Sequence, residues 1–177
     1  MLVIRNSRIE NIMIKGQDIV VLTAIMGSDV QIPYSELAEK SRLSVSETHA
    51  AVKRLQESAL VNGERKIVRR NAAEFLVHGL KYAFPMKSTG GYNVGMPTSY
   101  AAPIAEDEFA SVGSVPVWTN SDGSVEGIGF DPIYPTAPKA AEADRGMYDR
   151  LALIDMLRGG RLRERKYAED KLMEMLG

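Results

Sequence analysis

Apolar residues recur at helical spacing in residues 17–26, where Ile19, Leu22, Thr23 and Met26 share one face. Gly27-Ser28-Asp29 ends that run, and residues 1–12 before it read as an extension. Pro33 suits the first position of a short second helix, Tyr34 to Lys40, with Leu37 and Ala38 inward. A tight turn follows at Ser41-Arg42-Leu43. Ser44-Val45-Ser46-Glu47 then has the form of a capping box, opening a helix to about Ala59. Thr48, Ala51, Val52 and Leu55 are its buried stripe, and Ser46, His49, Ala50, Lys53 and Arg54 lie on or near the other side. Asn62-Gly63 makes a turn before a very short strand, Lys66-Ile67-Val68. Asn71 is expected to cap a helix over about 72–83, with Phe75, Leu76, Gly79 and Leu80 on its apolar side.

Residues 85–140 lose this periodicity and hold most of the prolines. Val115–Thr119 and Ser124–Phe130 flank Asn120-Ser121-Asp122-Gly123, a pattern that predicts a β-hairpin. The rest reads as extended loop. Its apolar residues, among them Tyr92, Phe109, Trp118 and Tyr134, argue against full disorder. Asp144 is placed to cap a helix through Leu157, with Met147, Leu151, Ile154 and Leu157 in register. After Gly159-Gly160 a last helix runs from Arg161 to Leu176, with Leu162, Ala168, Leu172 and Met175 as its expected apolar side.

Composition narrows the function. The chain has 177 residues, 45% hydrophobic and 25% charged, as ordinary globular domains have. It has no cysteine, which excludes disulfides and thiol catalysis, and its two histidines stand far apart. No apolar run approaches the ~20 residues of a membrane span. Met1 to Ile14 lacks the apolar stretch of a secretory signal, so a cytoplasmic address is expected. No Ser-His-Asp set, carboxylate pair or metal-ligand group emerges, so neither an enzyme, nor a cofactor, nor a metal is expected. His78, beside an apolar stripe, reads as a partly buried structural histidine. Trp118 and Tyr134 read as anchors, and Glu106, Asp107 and Glu108 as a helix start or a solvated loop.

The net charge of −1 conceals an uneven distribution. Arg42 to Arg70 carries seven Lys/Arg against three Asp/Glu, while residues 88–138 carry no Lys or Arg and six acids. The C-terminal part is basic again from Arg158 to Lys166, with acids at helical spacing. A basic cluster attracts phosphate. Two helices joined by a tight turn are a helix-turn-helix, whose second helix can enter the major groove. Lys53, Arg54, Arg65, Lys66, Arg69 and Arg70 are therefore candidate phosphate contacts, and Ser46 and His49 candidate base-edge contacts. Ser44, at the capped helix start, completes the DNA-binding set.

Tyr34 to Thr48, continued through Lys53-Arg54-Leu55-Gln56-Glu57-Ser58-Ala59-Leu60-Val61, resembles the winged helix-turn-helix of MarR-type bacterial transcription regulators. The resemblance implies a recognition helix at about 44–59 and a basic wing after it, and covers about a third of the chain. Ala50 stands where the family often has a groove-reading Arg. Ala59 stands where a Gly usually precedes the Leu-Val pair, and Glu64 to Arg70 makes a short wing. Residues 85–177 are not MarR-like. Phe75 to Pro85, Gly95-Met96-Pro97-Thr98, Pro116-Val117-Trp118, Pro132-Ile133-Tyr134-Pro135 and Asp155 to Arg165 resemble a family of uncharacterised bacterial proteins labelled MarR-like.

The expected fold is mainly α, of the α+β class. It comprises a winged helix-turn-helix over residues 1–84, then a loop-rich, hairpin-containing extension and a C-terminal helical pair over 85–177. The expected function is transcription regulation on double-stranded DNA as a homodimer. The alternative is a protein-interaction module, such as an antitoxin, that covers a basic partner (a toxin or nucleic-acid enzyme) with the acidic segment 88–138; it rests on analogy with winged-helix antitoxins.

Overall fold

A computed structural model describes residues 13–109, 113–120 and 122–177, a mixed α/β fold. The reading of residues 1–12 as an extension lies outside these described residues. Helix α1 (Gly16–Met26) is buried from Asp18 through Ile25, so its nearly continuous apolar sequence is packed on all sides. Helix α2 (Tyr34–Ser41) ends where Arg42 turns left-handed at φ 55° and Leu43 N–H donates to Ala38 O at 3.0 Å. Helix α3 (Val45–Glu57) opens on the expected box: Glu47 N–H donates to Ser44 Oγ, and Ser44 N–H donates to Glu47 Oε2. Thr48, Ala51, Val52 and Leu55 are buried as the stripe predicts. Ala38 and Ala51 are both buried where α2 meets α3.

After α3 the chain makes a minimal hairpin. Val61 and Ile67 form a single antiparallel bridge rather than a strand pair. Asn62 organises the turn: its N–H donates to Lys66 O, and its side-chain carbonyl accepts from the N–H groups of Glu64 and Lys66. Helix α4 (Arg69–Glu74) starts two residues ahead of Asn71, which therefore does not cap it; Asn71 Nδ2 instead donates to Ala59 O at 2.8 Å. The axis continues through a π-helical turn, Phe75–Gly79, into α5 (Leu80–Ala83). His78, expected to be partly buried, is exposed on that turn.

The hairpin expected between 115 and 130 is not formed. Strands β2 (Pro116–Thr119) and β3 (Val125–Phe130) exist, but they run parallel, Pro116 opposite Ile128 and Val117 opposite Gly129. What joins them is β1 (Ser88–Pro97), antiparallel to both, in a stretch expected to be loop. Gly95 pairs with Thr119 on one side and Val125 on the other, so the three strands close on themselves. Closure at this radius requires bare backbone. A Cβ on Gly95 would lie 2.1 Å from Trp118 O, and one on Gly127 2.1 Å from Val115 O.

A 3-10 turn (Ser99–Ala101) and a short α6 (Glu106–Phe109) bridge β1 and β2. After β3 come α7 (Ala137–Ala143), also in the expected loop, then α8 (Arg145–Gly159) and α9 (Leu162–Leu176). Asp144 caps α8 as predicted, accepting from Met147 N–H. Met147 and Tyr148, and then Leu151 through Arg158, are buried. On α9, Ala168 and Leu172 face inward, but Leu162 is 78% exposed and Met175 half-exposed; Leu176 takes the inward place instead. Buried residues of 13–84 and of 85–177 join in one apolar cluster that runs from α1 through α8 to α9.

A polar network centred on Asp155 sits in that core. Asp155, 1% exposed, accepts from Thr98 Oγ1 at 2.9 Å, Trp118 Nε1 at 2.7 Å and Arg158 Nη1 at 2.8 Å. Arg158 also donates to Phe84 O and Asp131 O. The pair ties α8 to the strands and to the end of α5. Arg158 is therefore not part of an outward basic face.

Candidate nucleic-acid interface

The residues expected to meet DNA fall on α3, on the 61–67 hairpin and on the start of α4. Their environments separate them. Ser46 and Lys53 are exposed on the outer side of α3; Lys53 meets only Glu57, at 4.0 Å, among the described residues. Ser44 is exposed, but its hydroxyl is occupied within the cap, accepting from Glu47 N–H and donating to Glu47 Oε2 at 2.6 Å. That cap also sets the charge at the helix start. Hydrogen bonds from Ser44 hold the Glu47 carboxyl below its ordinary value, so a carboxylate lies where free N–H groups would attract phosphate.

Arg54 does not join the outward set. Its guanidinium turns inward and grips Asp18 of α1 with two bonds, Nε to Oδ2 at 2.8 Å and Nη2 to Oδ1 at 2.6 Å. Side-chain exposure is 9% for Arg54 and 0% for Asp18. A phosphate contact by Arg54 would break a buried, bidentate ion pair, so that assignment is corrected: Arg54 is structural.

His49 and Arg65 share a neighbour the sequence did not single out. The Tyr34 ring stacks on His49 with centroids 3.5 Å apart, and the Arg65 guanidinium lies 4.3 Å from the same ring centre. Arg65 also donates to Ile32 O at 3.2 Å. Tyr34 thus ties the hairpin to the middle of α3. It fixes the His49 ring at the surface while leaving Arg65 only partly exposed. Stacking on an aromatic face and a cation over it each contribute about 0.5–1.5 kcal/mol.

The remaining cations lie on the hairpin and at the start of α4. Lys66 is exposed and meets Glu64 at 3.3 Å. Arg69 is exposed and donates to Gly177 O at 3.0 Å, which ties α4 to the end of α9. Arg70 is exposed, with no hydrogen-bond or ion-pair partner among the described residues. The C-terminal basic run is mostly engaged: Arg163 with Glu108 at 2.9 Å, Arg165 with Gly160 O, and Lys166 with Glu169 and Asp170. Arg42, in the turn before α3, is exposed, and its place in a turn gives it no periodic signal in the sequence.

Among the described residues no group of three or more His, Asp or Glu gathers as metal ligands would, and no helix is long and apolar enough to cross a membrane. No family model, curated protein or solved structure matches the chain.

Proposed function

We propose that residues 16–70 form a winged helix-turn-helix and that the protein is a DNA-binding transcription regulator. The observation that carries this reading is the Tyr34 clamp, which joins the 61–67 hairpin to the exposed side of α3. Ser46 and His49 are the base-edge candidates on that side. Lys53, Lys66, Arg69 and Arg70, all exposed, are the phosphate-contact candidates, with Arg65 holding the wing. A homodimer would present two copies of α3 to two half-sites. The acidic 88–138 segment repels phosphate and has no part in this task. A second reading makes it a surface for a basic protein partner, and draws on exposed Tyr92 and Val94, with Glu126 opposite Val94.

Fluorescence anisotropy on random duplex DNA across a salt series tests the proposal. Binding that weakens steeply with salt is the expected result. Lys53→Ala or Arg70→Ala should each flatten the log–log salt slope by about 0.9, the value of one neutralised phosphate. No binding at about 50 mM salt and micromolar protein overturns it. With an operator selected, Ser46→Ala and His49→Ala should relax base preference by roughly 1–3 kcal/mol at single positions.

A further inference from the structure

Arg42 and Lys139 stand on two different halves of the chain yet line one open cleft of about 420 Å³, with Glu142 and Ala143. Two bonds set this juxtaposition. Thr136 Oγ1, beside the start of α7, donates to Ser41 O at 3.0 Å, and Lys40 Nζ donates to Asp144 Oδ2 at 3.2 Å. They fasten the end of α2 to both ends of α7. Arg42 is thereby held in its left-handed turn next to the exposed Lys139. Neither cation has a hydrogen-bond or ion-pair partner among the described residues. Glu142, the one acid among the residues that line the cleft, accepts from Asn120 Nδ2 at 3.1 Å. Arg42 and Lys139 outnumber the single Glu142 carboxylate, so the lining keeps one positive charge in excess, which favours an anion between the two cations.

One wall of the cleft is Arg42, the residue that ends α2 in the turn leading to α3. The Glu47 carboxylate occupies the start of α3, where its charge opposes a second anion. A duplex whose groove receives α3 still has a strand passing this end of the helix, and its charge must be met by side chains. We infer that Arg42 and Lys139 together hold a phosphodiester of the duplex backbone, so that the DNA footprint crosses from the helix-turn-helix onto α7. The inference rests on the DNA-binding reading above and assigns α7 a direct part in it. Contacts of this kind fix orientation and add affinity without reading sequence.

The test is anisotropy on random duplex DNA from 50 to 200 mM salt. It compares the wild type with Arg42→Gln, Lys139→Gln, the double variant, and Lys171→Gln on α9 as a charge-matched control. Each cleft variant is expected to flatten the log–log salt slope by about 0.9 and the double variant by about 1.8, with the control unchanged. Wild-type binding with unaltered slopes in both cleft variants overturns the inference and leaves the DNA reading standing. An equal flattening in Lys171→Gln also overturns it, since the effect is then net charge alone. Absence of wild-type binding overturns the DNA reading and the inference with it. Should Arg42→Gln prove unstable in urea, Lys139→Gln, at an exposed helical position, decides the matter by itself.

Discussion

Arg54 of α3 and Asp18 of α1 meet in a buried two-pronged ion pair, 36 residues apart in sequence, and Asp18 also accepts from Lys15 N–H at 2.8 Å. One carboxylate therefore caps the first helix and anchors the third. Removing one partner leaves an uncompensated charge in the core, which costs far more than the intact pair contributes. Arg54→Ala is expected to lower stability by about 3–5 kcal/mol in urea unfolding. The double change Asp18→Leu with Arg54→Met should recover most of that stability. If Arg54→Ala stays fully stable while flattening the DNA salt slope, the side chain contacts phosphate after all.

The end of α3 offers an opposite case. Ala59 takes a left-handed conformation at φ 55°, closing the helix while Leu60 N–H donates to Leu55 O at 2.9 Å. A side chain in that conformation costs roughly 1 kcal/mol relative to glycine. Ala59→Gly should raise the unfolding free energy by about 0.5–1 kcal/mol, the gain being partly offset by the freer unfolded chain. A neutral or negative change in the urea midpoint would show that the left-handed turn is not strained.

The parts of the fold legible in the sequence are those decided within a few residues. The Ser44–Glu47 box, the Asp144 cap and the Asn62 turn each depend on partners two to four positions away, and each is present. The strand Ser88–Pro97 was not legible, because Gly90, Gly91 and Gly95 have poor strand propensity and the strand takes its shape from partners 20 to 42 residues on. The parallel course of β2 and β3 was hidden for the same reason: a turn-like tetrapeptide between two apolar runs suggests a hairpin, and only β1 reveals otherwise. At the candidate interface, charge and exposure were legible for Lys53, Lys66 and Arg70. The inward turn of Arg54 was not, since it depends on Asp18 in another helix, nor was the role of Tyr34 in joining His49 to Arg65.

That role gives a third expectation. Tyr34→Leu keeps apolar bulk at the start of α2 but removes the ring that stacks on His49 and carries Arg65. Stability should fall by about 1–2 kcal/mol. DNA affinity should fall further than the drop in folded protein explains, because the hairpin is no longer tied to α3. Hydrogen exchange over residues 61–67 checks this directly: faster exchange there, with α1 unchanged, is the expected pattern, and equal protection in both proteins refutes it.

The buried Asp155 sets a pH dependence whose sign is unusual for a carboxylate. Its burial pushes the carboxyl up from 3.8 to about 6, against the opposing pull of Arg158, Thr98 and Trp118. The folded protein thus holds this proton more tightly than the unfolded chain does. The resulting stabilisation is complete below pH 3.8 and is lost as pH rises through about 6. A shift of this size corresponds to roughly 3 kcal/mol between those limits. Surface carboxylates act in the other direction, so the comparison must be made with Asp155→Asn, which keeps the shape and removes the titration. Urea unfolding at pH 4 and pH 7 should show the wild type losing about 2 kcal/mol relative to the variant as pH rises, since the unfolded carboxyl is already partly ionised at pH 4. A difference that stays flat, or grows with pH, would mean that the carboxylate is ionised throughout and that its bonds to Arg158, Thr98 and Trp118 outweigh burial.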